Sequence, residues 1–263
     1  MLKLIDTHTH LYDKAFSQER LEVITRAKEA GVMACILPAI DKESHRDLLD
    51  LEASFKGYTF AAAGLHPTSV NSSWREELDF VMEETSSKKY IAIGEIGMDG
   101  YWSREFMEEQ ATVFLEQLKL ASSLELPVII HSRDSYDEIF SVLEKCKGLN
   151  LRGVFHAFSG SIEIFNRIQK YGEFKAGIGG VVTYKKAHIA DTVKSIGIDN
   201  IILETDSPWL TPVPFRGKRN EPAYVKLVAE KLAEIFTFPV EEIAAITSLN
   251  TTKLFNLQLE TSL

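Results

Sequence analysis

Short, continuous apolar runs recur along the chain at residues 2–5, 33–37, 60–63, 91–93, 127–130, 153–155, 174–176 and 201–203. They do not alternate with polar residues, which predicts strands buried on both faces of a parallel sheet. Between them lie stretches with apolar residues at helical spacing, at about 18–30, 44–55, 74–84, 104–124, 137–145, 162–170 and 187–196. The first carries Leu21, Ile24 and Ala27 on its inward face; the fourth carries Met107, Ala111, Phe114, Leu118 and Ala121. Two further helical patterns, about 222–236 and 240–255, close the chain. Regular strand–helix alternation over 263 residues predicts an α/β fold, a single (β/α)8 TIM barrel of parallel strands with an extra C-terminal helix. No Pro- or Gly-rich linker divides the chain, so one domain spanning 1–263 is expected. An open doubly wound sheet stays as the alternative, because strand order is not visible in sequence.

Composition narrows the partners. A formal net charge of -9 argues against a broad basic face for duplex nucleic acid. The two cysteines, Cys35 and Cys146, lack metal-ligand spacing, which fits a reducing cytoplasm and no disulfide framework. No secretory leader and no membrane-length apolar run is expected, and no obligate protein partner is inferred.

The candidate chemistry sits where the apolar runs stop. Of seven histidines, His8, His10, His66, His131 and His156 fall at or just after predicted strand ends, and only His45 and His188 fall in helical patterns. Glu95 and Asp206 end the fourth and eighth strands. Strand C-termini form the active-site face of such barrels. Taken one at a time, each residue has a plain reading as a buried histidine, a loop acid or a turn former. Together they make a convergent ligand set of imidazoles and carboxylates without thiolates, which suits a catalytic rather than a structural metal site. Six groups exceed what one open tetrahedral ion uses, so two divalent ions (Mg, Mn or Zn) sharing a bridging Glu95 are expected. One position takes His8, His10, Glu95 and Asp206, the other Glu95, His131 and His156. A water or hydroxide between them would be the nucleophile, with Asp206 as general base.

These residues also lie in recognisable stretches. Leu4-Ile5-Asp6-Thr7-His8-Thr9-His10-Leu11, Pro127-Val128-Ile129-Ile130-His131-Ser132-Arg133 and Ile202-Leu203-Glu204-Thr205-Asp206-Ser207-Pro208 resemble the three signature stretches of the TatD-related metal-dependent hydrolases. Gly94-Glu95-Ile96-Gly97, Gly64-Leu65-His66-Pro67 and the segment 211–222 resemble the family pattern as well. The resemblance implies an amidohydrolase-like metal barrel acting mainly as a deoxyribonuclease, several members being 3′-end exonucleases on single strands. Some relatives act on aminoacyl-tRNA. Departures stand at Met98, Gly100 and Thr68, none of them a proposed ligand.

The implied substrate is single-stranded DNA ends. Substrate contacts are expected at His66, Arg133, Glu204, Arg216, Lys218 and Arg219, the last three forming a basic loop after strand eight. Tyr101 and Trp102 offer faces on which bases can stack. The rival readings are an amide or ester hydrolase on the same site, and a non-catalytic metal-loaded binding module.

Overall fold

A computed structural model of the chain describes residues 2–187 and 189–259; His188, expected in a helical pattern, lies outside the described residues. Eight strands run in chain order: β1 Leu4–Asp6, β2 Val32–Pro38, β3 Thr59–Ala63, β4 Ala92–Asp99, β5 Val128–Arg133, β6 Leu151–Phe155, β7 Gly172–Ile178 and β8 Ile201–Leu203. Each pairs in parallel with the next, in the spatial order β1 to β8. The ends then meet. Thr7 N–H donates to the Leu203 carbonyl, Asp206 N–H to His8 and His10 N–H to Ser207. This excludes the open doubly wound sheet, whose strand order reverses at a switch point.

Nine helices are described: α1 Arg20–Glu29, α2 Lys42–Ser54, α3 Trp74–Ser87, α4 Met107–Ser123, α5 Tyr136–Lys145, α6 Ile162–Ile168, α7 Ala190–Ile196, α8 Val225–Phe236 and α9 Val240–Phe255. Most of the core lies between strands and helices. A second apolar layer fills the barrel's interior: Ile5, Ala34, Ile36, Ala62, Ala92, Ile129, Val154 and Ile202, sealed below by Leu254, Phe255 and Leu257. α9 and the residues after it therefore close the barrel's floor. Among the described residues, no helix is long and apolar enough to cross a membrane.

Three elements differ from the sequence expectation in ways that matter. First, Leu21 faces solvent rather than the core, and Val23 takes its place beside Ile24 and Ala27. Second, the buried face of α4 carries Gln110 and Gln117 among its apolar residues. Each glutamine copies a strand's donor and acceptor. Gln117 Oε1 accepts from Leu65 N–H at 2.8 Å and its Nε2 donates to the Leu65 carbonyl at 3.1 Å. Gln110 does the same at Asp99, at 2.9 and 3.3 Å. One helix thus fixes the ends of β3 and β4.

Third, β4 does not stop at Ile93. Its register against β5 steps from Ile93–Val128 to Ile96–Ile130, so three residues span what two span on the partner. That β-bulge reverses the inward and outward alternation. Ala92 points into the barrel before it, whereas Ile96 and Met98 point out to the helices after it. Glu95, Gly97 and Asp99 are left on the inner side. Gly97 has φ +136°, and a Cβ there would sit 2.1 Å from the His131 carbonyl oxygen, so only glycine fits between the two acids.

Candidate metal centre

The inward column of each strand changes chemistry at its C-terminal end. Ile129 is followed two residues on by His131, Val154 by His156, and Ile202 by Glu204 and then Asp206. Residues two apart on a strand share a face, so the barrel that aligns the aliphatic layer also aligns the ligands above it. β1 reaches the same end differently. It stops at Asp6 and bends at Thr7, and Thr9 resumes pairing through a single bridge to Ser207. The buried Asp6 carboxyl holds this bend. Its Oδ1 accepts from Thr205 N–H at 2.9 Å and His8 N–H at 3.3 Å, and its Oδ2 lies 2.6 Å from Thr205 Oγ1. Burial pushes this carboxyl well above its ordinary range. The seam between β1 and β8 is thereby tied at the point where His8, His10 and Asp206 leave it.

Two groups of atoms form around Glu95. On its Oε2 side, His8 Nε2 is 3.1 Å away and His10 Nε2 3.8 Å. The two imidazole nitrogens are 3.1 Å apart, and Asp206 Oδ1 lies 3.8 Å from His8 and 3.7 Å from His10. A tetrahedral ion with ligands at about 2.0–2.1 Å has edges of about 3.4 Å; His8, His10 and Glu95 lie close enough together to share one divalent cation, with Asp206 beside the two imidazoles. On the Oε1 side, His131 Nδ1 is at 2.9 Å, His66 Nε2 at 3.3 Å and His156 Nε2 at 3.7 Å. His156 Nε2 also lies 3.8 Å from Asp206 Oδ1. The donors are nitrogen and oxygen without thiolate, a mixture that suits Zn or Mn, and on the Oε1 side His66, Glu95 and His131 are close enough to share a cation.

The next layer of hydrogen bonds sets which ring nitrogen faces the site. Tyr12 donates to the Pro38 carbonyl at 2.7 Å and lies 2.7 Å from His10 Nδ1. His10 Nδ1–H therefore donates to Tyr12, leaving the Nε2 lone pair for the site. Asp99 Oδ2 receives His131 Nε2–H at 2.8 Å, so His131 turns its Nδ1 inward. His8 and His156 stack with ring centroids 3.5 Å apart. Beneath the pair, Glu204 Oε1 lies 3.1 Å from His156 Nδ1 and accepts from Ala157 N–H at 2.6 Å. His8 Nδ1, His156 Nδ1 and Glu204 Oε2 are all buried without a well-aligned hydrogen-bond partner, so the Glu204–His156 contact is an ion pair. A Cβ at Gly177 would come within 2.2 Å of that oxygen, so glycine makes the room for Glu204.

The charges follow from this packing. Burial alone would raise Glu95, but His66, His8 and His156 hold its carboxyl well below the usual range. Asp206 is lowered in the same way, burial being outweighed by His156, His10 and His8. Burial lowers His8 and His66. For His156, burial is overcome by Glu204, Glu95 and Asp206, which raise it to about 10. His131 is raised against burial by Asp99 and Glu95.

Of the expected site residues, His8, His10, Glu95, His131, His156 and Asp206 converge. His66, expected to touch substrate, faces Glu95 within the same cluster. Glu204 requires a correction: it is 1% exposed beneath His156, so it is not placed to meet substrate, and it forms a further cation-sized group with His8 and His156. The three cations of the basic loop each make a contact of their own. Arg219 is tied to Glu19 at 2.9 Å and to the Ala15 carbonyl, while Arg216 covers Tyr184 and Lys218 lies by Phe215. Arg216 and Lys218 are exposed, and Arg219 is partly buried. Arg133 stacks on Tyr101, its guanidinium carbon 3.6 Å from the ring centroid. Sequence reasoning missed Asp99, Tyr12 and Asp6. For Asp99 a signal existed: it lies four residues after Glu95, on the same face of any strand continuing through both.

Comparison with known proteins places the chain by family and fold. The sequence model of the family described as TatD related DNase matches residues 5–256. YabD of Bacillus subtilis, described as an uncharacterized metal-dependent hydrolase, is 37% identical over 255 residues, covering 97% of this chain and 99% of its own. YjjV of Escherichia coli K12, described in the same words, is 34% identical over 258 residues, covering 97% and 98%. The crystal structure of YjjV, a TatD homolog, superposes with a TM-score of 0.86 over 97% of this chain and 98% of that one. A TatD family hydrolase from Entamoeba histolytica shares the fold at a TM-score of 0.82 and 21% identity, covering 98% and 99%.

Proposed function

The chain belongs to the TatD related DNase family of metal-dependent hydrolases, and from that premise we propose that it is a two-metal phosphodiesterase, a deoxyribonuclease acting on single-stranded DNA ends. One observation carries the reading: the Glu95 carboxylate stands between two ligand groups, one at each oxygen. Divalent ions held by His8, His10, Glu95, His131, His156 and Asp206 would polarise a phosphoryl oxygen and lower the pKa of a water. The chain's own residues do the rest. Asp206 has the most open side chain of the site carboxylates, at 14% exposure against 4% for Glu95 and 1% for Asp99. It is ionised at neutral pH and accepts the proton of the attacking water. Glu95 stays anionic under three imidazoles and holds the two positions together. Asp99 keeps the His131 ring oriented and Tyr12 the His10 ring. Two free, buried cysteines, Cys35 and Cys146, accord with a reducing compartment such as the cytoplasm.

The test is metal-depleted protein titrated with Mg, Mn and Zn against 3′- and 5′-labelled single strands, duplex, RNA and aminoacyl-tRNA. Metal-dependent release of nucleotides from single-stranded DNA ends is expected. Turnover confined to aminoacyl-tRNA, or absence of phosphodiester cleavage with every metal, would overturn it.

A further inference from the structure

β4 and β8 are four strands apart in either direction round the barrel, so the loops that follow them face each other across the mouth. Both loops hold their aromatic side chains out in solvent. Tyr101 and Trp102 after β4 are 53% and 70% exposed, and Trp209 after β8 is 49% exposed. Exposed rings of this size leave much apolar surface in water.

Their backbones, by contrast, are fixed to the metal centre itself. Tyr101 and Trp102 N–H donate to Asp99 Oδ1 at 2.9 and 3.2 Å, and the other oxygen of Asp99 holds His131. Trp209 N–H donates to the Asp206 carbonyl at 2.8 Å, and its own carbonyl accepts from Asn220 Nδ2 at 2.6 Å. The Trp209 ring stands edge-on to His10, centroids 5.1 Å apart. One aromatic group therefore borders the His10 side of Glu95 and the other borders the His131 side. Trp102 is braced by Tyr101 at 5.0 Å and 84°, with the Arg133 guanidinium over both rings. The cavity beside Trp102 holds about 60 Å³, room for about two waters. A base does not fit inside that cavity, and the exposed Trp102 ring is the apolar surface offered beside it.

We propose that Trp209 and the Trp102–Tyr101–Arg133 stack are two base platforms, one on each side of the scissile phosphate. The substrate class that follows is a single-stranded nucleic-acid end whose two terminal bases are both unpaired, because a paired base is not free to turn onto either ring. Stacking of this kind tolerates any base. The inference rests on the phosphodiesterase reading.

The experiment uses metal-loaded full-length enzyme and 5′-labelled single strands of three kinds: intact, abasic at the 3′-terminal nucleotide, and abasic at the penultimate one. Trp209→Ala and Trp102→Ala should each lower kcat/KM on the intact strand about tenfold, chiefly through KM. Trp209→Phe should restore most of the loss. Each alanine variant should be non-additive with the abasic position on its own side and additive with the other. Quenching of tryptophan fluorescence by a non-hydrolysable phosphorothioate strand should weaken in both alanine variants. The circular dichroism of each variant is checked against the parent. Undiminished kcat/KM in both alanine variants, or losses additive with both abasic positions, would overturn the platforms while leaving the phosphodiesterase reading intact. Failure of the parent enzyme to cut any strand would overturn both.

Discussion

Ile129 and His131 sit two residues apart on one strand and both point into the barrel, yet they answer to different demands. Ile129 belongs to the interior layer closed from below by Leu254, Phe255 and Leu257. There, shape and apolar area decide which residues fit. His131 belongs to the mouth, where Glu95 and Asp99 hold its two nitrogens. There the fit depends on charge, lone-pair direction and a second ring of hydrogen bonds. The floor therefore carries the stability of the fold, and the mouth holds polar groups whose desolvation a cation repays. Damage to each end should register in a different measurement.

The largest separation is expected from Asp206→Asn. The carboxylate is lost with little change in shape, so phosphodiester turnover should fall by about 10²–10⁴-fold. The thermal midpoint of the metal-free protein should stay close to the parent's, as a differential scanning calorimetry trace would show. Phe255→Ala should do the reverse. This residue is buried in the floor, and its truncation should cost about 3–5 kcal/mol in urea unfolding. The fraction that remains folded should keep the parent's kcat. If Phe255→Ala destroyed turnover in folded protein, the division of labour between the two ends would be wrong.

Asp99→Asn sharpens the comparison within the mouth. It leaves one acceptor oxygen for both the Tyr101 and Trp102 N–H groups and His131 Nε2–H, and an NH2 facing whichever is unserved, so metal affinity on the His131 side should drop about 10–100-fold. Affinity on the His8–His10 side should change far less, as calorimetric metal titration would resolve. Equal loss at both positions would mean that Asp99 supports the mouth as a whole.

A smaller effect is expected from pH. In the metal-free protein, His156 is raised from its ordinary 6.5 to about 10 by Glu204, Glu95 and Asp206 against the pull of burial. A raised imidazolium contributes stability that is fully present below 6.5 and is lost as pH rises through about 10. Urea midpoints of metal-free enzyme should therefore decline between pH 7 and 10, and His156→Asn should flatten that decline. Because bound metal must displace the same proton, loading should also release protons into the medium. A flat profile in the parent would mean that His156 carries no proton without metal.

How much of this was readable in the sequence differs between the two ends. The interior layer and the ligands above it were legible for one reason: an apolar run that stops at His131, His156 or Asp206 keeps the same face on both sides of the boundary. Glu95 was legible as a ligand, but the means of turning it inward was not, since a one-residue bulge has no mark in an apolar pattern. Asp99 was hidden by the apparent end of the strand: it lies six residues past the apolar triplet 91–93, although a strand carried on through Glu95 would have put it on the same face. Gln110 and Gln117 were invisible to a search for apolar periodicity, although their spacing of seven puts both on one helical face. Glu204 and Arg219 were misplaced because residue type alone cannot separate a charge aimed at substrate from one committed to His156 or Glu19.

The most direct test of the central claim is anomalous diffraction from crystals of the enzyme soaked in Mn²⁺. Two peaks about 3.5–4 Å apart are predicted, one at each oxygen of Glu95, the first among His8, His10 and Asp206 and the second beside His131 and His156. A single peak, or peaks that do not share Glu95, would contradict the account.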